Sequence, residues 1–259
     1  MFAGVSSACF YPEVTEQAVT ILGLMGIPYA ELFINCDYET QPDYVRQVRR
    51  SAEEFGLEFV SAHSHLSALE HYLFFSNYDR RFAEGLDSYR RICQAALGYG
   101  AKLLVFHGAF KGCKLPLEEY AERYYLVHDA ARREGILLAH ENVARCVGWD
   151  PRFFEGMRRL SGDFAFTLDI KQCVRSGVDP FEMLRAMGPG LAHLHISDHD
   201  RTRDCLPPGE GTFPLGDFLN QVKALGYQGA AMIELYRENF HRIRELKKSY
   251  LLLEEQCAE

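Results

Sequence analysis

A chain of 259 residues with 47% hydrophobic content is long enough to bury a large core without a disulfide, a metal or a partner to fold it. Its formal net charge of -8 opposes the phosphate backbone of nucleic acid, and no apolar run reaches the roughly 18 residues needed to cross a bilayer. The eight cysteines form no CxxC pair, and Cys9 and Cys93 lie in apolar runs. They read as reduced thiols, which suits a cytoplasmic protein, as does a start with neither a basic segment nor a long apolar stretch.

Two textures alternate along the chain. Short runs rich in Val, Ile, Leu and Phe read as buried parallel strands, and longer Arg- and Glu-rich segments with helical spacing read as amphipathic helices. In chain order the pattern predicts a strand over 3–10 and a helix over 13–25, then a strand over 29–35 and a helix over 41–55. A strand over 57–64 follows, with a long loop at 65–78 before a helix over 79–98. Strands over 102–109 and 137–143 precede helices over 116–134 and 150–160. The last units are strands over 164–170, 191–198 and 229–235, with helices over 179–187, 214–225 and 239–253. Gly26, Gly56, Gly100, Gly135 and Gly226 punctuate helix-to-strand turns, where a left-handed cap is needed. Eight βα units with a period of about 30 residues predict an α/β fold, a single (β/α)8 TIM barrel spanning 1–259 as one domain. Its active site is expected at the C-terminal rim of the strands, under the loops at 65–78, 143–149 and 198–213.

Four consecutive strand-like runs in the second half finish with a ligand-type side chain: Glu141 in LLAHENV, Asp169 in FAFTLDI, His195 in LAHLHISD and Glu234 in AAMIEL. Any one of them alone reads equally well as a cap or a surface residue. Together at one rim, three carboxylates and an imidazole would repel strongly without a cation, so they predict a divalent metal site. His63 and His107 end two earlier strands at the same rim. They are ligands of a second metal, donors to a substrate oxygen, or satisfied polar residues. His65, two residues further out, is expected in solvent, and His193, one layer deeper, is expected either behind the ligands or in core packing. In the loop after the seventh strand, Arg201 is the candidate for reaching over the mouth. Trp149, the one tryptophan, is a candidate wall for a sugar.

The stretches HSHL, FHGAF, AHENV, TLDIKQ, HLHISDHD, PPGEGTF and IELYREN, spread over about 60 to 240, resemble the xylose isomerase-like TIM barrel superfamily. That group includes sugar isomerases and epimerases, inosose dehydratases and the endonuclease IV type. The resemblance implies a metal held by Glu141, Asp169, His195 and Glu234, with the two glutamates also acting as acid and base. It places Arg201 against substrate, with His63, His107 and Gln172 assigned to the same role. Two departures matter. Gln172 stands where many members carry His, and Asp204-Cys205-Leu206 lacks the ligands of the nuclease's third zinc. His63 and His107 match the nuclease's first zinc site, so a two-metal centre bridged by Glu141 stays open.

The expected activity is therefore that of a metal-dependent sugar, sugar phosphate or inosose isomerase or epimerase, working by proton transfer through an enediolate, with a dehydratase as close neighbour. The alternatives are an endonuclease IV-like phosphodiesterase and a non-catalytic sugar-binding barrel. A carboxylate-rich ligand set favours Mn, Mg or Co, with Zn or Fe also compatible. The expected partner is a small sugar or polyol, not nucleic acid or a membrane. Barrels of this class often pair, which leaves a homo-oligomer open.

Overall fold

In the computed structural model, which describes residues 1–258, eight parallel strands close into a barrel in strict sequence order, each paired with its neighbours and β8 with β1. The strands are β1 (Phe2–Ser6), β2 (Tyr29–Ile34), β3 (Glu58–Ser64), β4 (Leu103–Phe106), β5 (Leu137–Glu141), β6 (Ala165–Asp169), β7 (Leu191–Ile196) and β8 (Ala230–Ile233). The surrounding helices are α1 (Thr15–Leu24), α2 (Pro42–Glu54), α3 (Glu70–Phe74), α4 (Asp79–Tyr99), α5 (Leu117–Arg133), α6 (Pro151–Leu160), α7 (Ile170–Ser176), α8 (Pro180–Met187), α9 (Leu215–Ala224) and α10 (Ile243–Ala258).

Strand alternation divides the core. Leu32, Leu104, Leu138, Leu168 and Leu194 face outward into the apolar layer beneath the helices. Leu103, Val105, Ala139 and Ala165 form a separate apolar plug inside the barrel. The interior also buries polar groups, among them Glu31, Ser61, His193, Thr167 and the rim residues. The five predicted cap glycines all have positive φ, 65° to 111°, which only a residue without Cβ adopts freely.

The departures from the expected elements lie at the rim. The first strand stops at Ser6, and residues 7–10 form a 3-10 turn that Ser6 caps through its hydroxyl. The fourth stops at Phe106, because the Gly108 amide turns away to donate to Glu70 at 2.6 Å. Two short helices are unexpected: α3 lies inside the loop expected at 65–78, and α7 begins at the last residue of the strand expected over 164–170 and fills the unassigned stretch after it. The second of these starts because Asp169 caps it, accepting from the Gln172 amide at 3.0 Å.

Candidate active site

The barrel mouth opens into a cavity of about 450 Å³ whose lining includes His63, His107, Glu141, Lys171, Gln172 and Glu234. At its floor the four strand-end residues converge. One donor atom each from Glu141, Asp169, His195 and Glu234 lies within 4.8 Å of the others. His195 Nδ1 is the hub, 3.0 Å from Glu141 Oε1, 3.6 Å from Glu234 Oε2 and 3.8 Å from Asp169 Oδ2. Two ligands on opposite sides of an ion with bonds of about 2.1 Å are about 4.2 Å apart, so these spacings suit one divalent cation. Asp169 divides its work: Oδ1 caps α7, while buried Oδ2 faces the cluster with no hydrogen-bond partner. A buried acceptor left without a donor is costly, and a cation would satisfy it. The donor set therefore fits a metal.

Beside it a second group assembles. His107 Nε2 lies 3.0 Å from both Glu141 Oε2 and His63 Nε2, and His63 stacks on Phe33 with ring centroids 4.9 Å apart. Glu141 thus spends Oε1 on His195 and Oε2 on the histidine pair.

The charges respond to this crowding. Burial opposes ionisation of Glu141, yet the His107 and His195 imidazoles at 3.0 Å, with His63 at 3.9 Å, hold its carboxyl well below the usual range. Burial works against His195 too, but the Glu31 and Glu234 charges keep it protonated far more strongly than a free imidazole. Burial pushes Asp169 up to about 7, against the pull of the Lys171 ammonium. The same ammonium, with His195, overcomes burial at Glu234 and draws its carboxyl down to about 2.

Lys171 is the residue that sequence reasoning passed over. It follows the strand-end Asp169 by two positions, in the first turn of an unanticipated helix, and its side chain folds back into the mouth. Nζ lies 2.6 Å from Glu234 Oε2 and 3.1 Å from Asp169 Oδ2, the latter contact electrostatic and not an aligned hydrogen bond. The Tyr236 ring covers it, with its centroid 5.0 Å away. This ammonium neutralises two of the four candidate ligands, and a divalent ion would compete with it for the same oxygens. Its flexible stem allows it to turn aside. Lys171→Met is expected to lower the melting temperature of metal-free protein, since breaking a buried ion pair costs about 3–5 kcal/mol. Added Mn2+ should restore more of that loss than it adds to the native chain. Calorimetric scans with and without the ion decide it, and an unchanged metal-free melting temperature would remove Lys171 as the internal counter-ion.

The other expected site residues fall into two groups. His63, His107 and Gln172 line the cavity, but Gln172 spends its side-chain oxygen on the Ala144 amide at 3.0 Å, steadying the loop after β5. Arg201 is exposed and outside the cavity lining, and Trp149 is covered instead by Lys111, whose Nζ is 4.2 Å from its ring centroid. His65, expected in solvent, lines the cavity and reaches Asp37 Oδ1 at 3.2 Å, because the chain turns into a short 3-10 helix there. His193, expected either behind the ligands or in core packing, is buried behind His195, lying 2.9 Å from the Glu31 that His195 also contacts and 3.2 Å from Ser61. Arg145, at the end of ENVAR, also lines the cavity. No spacing signal marked it.

The Gly-Glu-Gly loop serves Asp198. Its Oδ2 accepts from the Gly209 and Gly211 amides and its Oδ1 from the Phe213 amide, each at 3.0 Å. A Cβ on Gly211 would lie 2.3 Å from Asp198 Oδ1, so only glycine allows this approach. Cys205 is fully enclosed and burial pushes its thiol up to about 11, while the neighbouring Leu206 pairs with Asp198 through backbone bonds.

A closed (β/α)8 barrel with carboxylates and imidazoles converging at its C-terminal mouth defines the class. The chain belongs to the xylose isomerase-like TIM barrel family, whose model matches residues 22–256. Among curated proteins it is 25% identical to an uncharacterised protein of Mycobacterium tuberculosis (strain ATCC 25618 / H37Rv), covering 90% of this chain and 88% of that one. An uncharacterised protein of Mycobacterium leprae (strain TN) is 24% identical over the same shares. Among solved structures, a D-tagatose 3-epimerase-like protein superposes with a TM-score of 0.80 at 19% identity, covering 100% of this chain and 97% of that one. The 3-keto-D-glucoside 4-epimerase of E. coli gives 0.76 at 19%, covering 99% and 100%. The probable 3-DHS dehydratase of Bacillus anthracis gives 0.76 at 13%, covering 98% of each. At these identities the superpositions establish the shared fold.

Proposed function

We propose that this chain is a metal-dependent sugar isomerase or epimerase that moves a carbon-bound proton, with Glu141 and Glu234 as its acid and base. The observation that carries the reading is the four-donor cluster at the floor of a cavity within the size range of small-molecule sites, about 300–1,000 Å³. Fold relatives named as sugar epimerases and a probable dehydratase agree with it.

The ion, when bound, would supply a Lewis acid that polarises a substrate carbonyl and stabilises negative charge beside it. The protein groups do the rest. Glu141 and Glu234 come from β5 and from the end of β8, on either side of His195, so each can face a different side of a small substrate. One removes the proton next to the carbonyl and the other returns it. His107 and His63 present imidazole nitrogens to Glu141 and stand at the cavity wall, where they donate to a substrate hydroxyl or to Glu141 itself. Phe33 and Tyr236 provide apolar surface for the carbon face of a sugar.

The test is turnover of ketoses and inososes by Mn2+-loaded protein in deuterated water, followed by NMR. Epimerisation or isomerisation with deuterium at the reacting carbon supports the two-glutamate transfer. Loss of water places the chain with the dehydratases. Turnover with the original hydrogen retained would exclude the proton shuttle.

A second reading, phosphodiester cleavage, is favoured by one feature, the His63, His107 and Glu141 group beside the first cluster. Against it stand the net charge of -8 and the use of the 204–206 segment for backbone pairing in place of metal ligands. Metal-loaded protein is expected to leave an abasic duplex intact at low salt, as read on a denaturing gel. Cleavage that disappears in His63→Ala would establish the nuclease reading.

A further inference from the structure

Glu31 was no part of the expected site. It stands in the apolar run YAELFI of β2, where the ladder to β3 shifts register between Ala30 and Glu31. Its side chain enters the barrel axis, directly below the metal-type cluster, and is fully enclosed. A bare carboxylate there would be prohibitively costly, so its partners explain why it persists. Oε1 accepts from the Ser6 hydroxyl at 3.2 Å. Oε2 takes the Ser61 hydroxyl at 2.9 Å, His193 Nε2 at 2.9 Å and His195 Nε2 at 3.1 Å.

The bond to His195 has a directional consequence. An imidazole offers one nitrogen to a metal only if the proton is kept on the other. Here the nitrogen facing the carboxylate cluster is Nδ1, and the nitrogen facing Glu31 is Nε2. An ionised carboxylate can only accept, so Glu31 requires the proton on Nε2, and Nδ1 is the nitrogen that gives up its proton when a cation takes the cluster. Without Glu31, the ring could keep its last proton on Nδ1, as a donor to Glu141, and present no lone pair to the cluster. The serines and His193 hold Glu31 in turn, so the ring plane of His195 is fixed from beneath.

We infer that Glu31 is a positioning residue: through its bond to His195 Nε2 it fixes the ring so that Nδ1 serves as a metal ligand. The inference rests on the metal reading of the cluster and extends it one layer into the barrel. Carboxylates behind metal-bound histidines contribute about 10–100-fold in metal affinity when removed.

The test compares Mn2+ binding by the native chain, Glu31→Gln and Ser61→Ala, using calorimetric titration and the electron paramagnetic resonance signal of free Mn2+. Melting of each metal-free protein is measured in parallel. Glu31→Gln should weaken Mn2+ by about 10–100-fold. Ser61→Ala removes one of the donors that hold Glu31 and leaves its carboxylate in place, so it should weaken Mn2+ by clearly less than Glu31→Gln does. A purely structural role would lower the melting temperature of Glu31→Gln while the folded fraction kept its Mn2+ affinity, and that result overturns the inference with the metal site intact. Absence of Mn2+ binding by the native chain overturns both this inference and the metal reading. Should Glu31→Gln fail to fold, nitrogen-15 spectra of His195 in Zn2+-loaded native protein decide the matter. A proton on Nε2 supports the assignment, and a proton on Nδ1 ends it.

Discussion

Glu141→Gln and Glu234→Gln are each expected to lower turnover by about 10²–10⁴-fold, the usual contribution of one general acid or base, while substrate still binds. The amide keeps the shape and a neutral oxygen ligand but cannot take the proton. The two glutamates are not equivalent in their surroundings. Both line the cavity, but Glu141 is surrounded by three imidazoles, whereas Glu234 is held as an anion by Lys171 and His195. The Lys171 ammonium and the His195 charge both lower the Glu234 carboxyl, so turning the ammonium aside would raise its basicity, and a proton-abstracting Glu234 is expected to need that movement. Single-turnover rates and substrate affinity measured separately check this. A Gln variant that keeps native turnover would free that glutamate from the acid–base role.

The second large effect is on metal content. Native protein is expected to carry roughly one divalent ion per chain, and His195→Ala and Asp169→Ala to lose most of it. Asp169→Ala also removes the cap of α7, which by itself costs about 0.5–2 kcal/mol. Asp169→Asn separates the two roles, because its amide oxygen can still accept from Gln172 while the charge is gone. Elemental analysis after dialysis, with melting curves as control, gives the answer. Full metal content in both His195→Ala and Asp169→Asn would mean that the ion lies elsewhere.

The barrel was legible because its cause is local. Each strand is a short apolar run and each helix a periodic one, and right-handed crossovers leave few ways to connect eight of them. The rim residues Glu141, Asp169, His195 and Glu234 were legible for the same reason: each breaks an apolar run at its end, and parallel strands carry those ends to one place. What escaped was whatever depended on direction. Lys171 went unread because the pattern predicts no helix at its position; the Asp169 cap sets the first turn of α7 and its stem points inward. Arg201 had the favoured spacing, yet its loop is tied down by Asp198 and leaves it outside.

Glu31 marks the boundary between the two kinds of information. From the sequence, Glu31 lies within the expected strand over 29–35, and its immediate neighbours Ala30 and Leu32, which lie on the other face, do not say where its side chain goes. Barrel closure is what brings it to His195 and His193 from β7 and Ser61 from β3, residues 30 to 164 positions away. Hydrophobic periodicity acts over a few residues and specifies which face of a strand is buried. Hydrogen-bond partners inside a closed barrel depend on register across strands, which is set by closure of the whole sheet and is not written in any one segment.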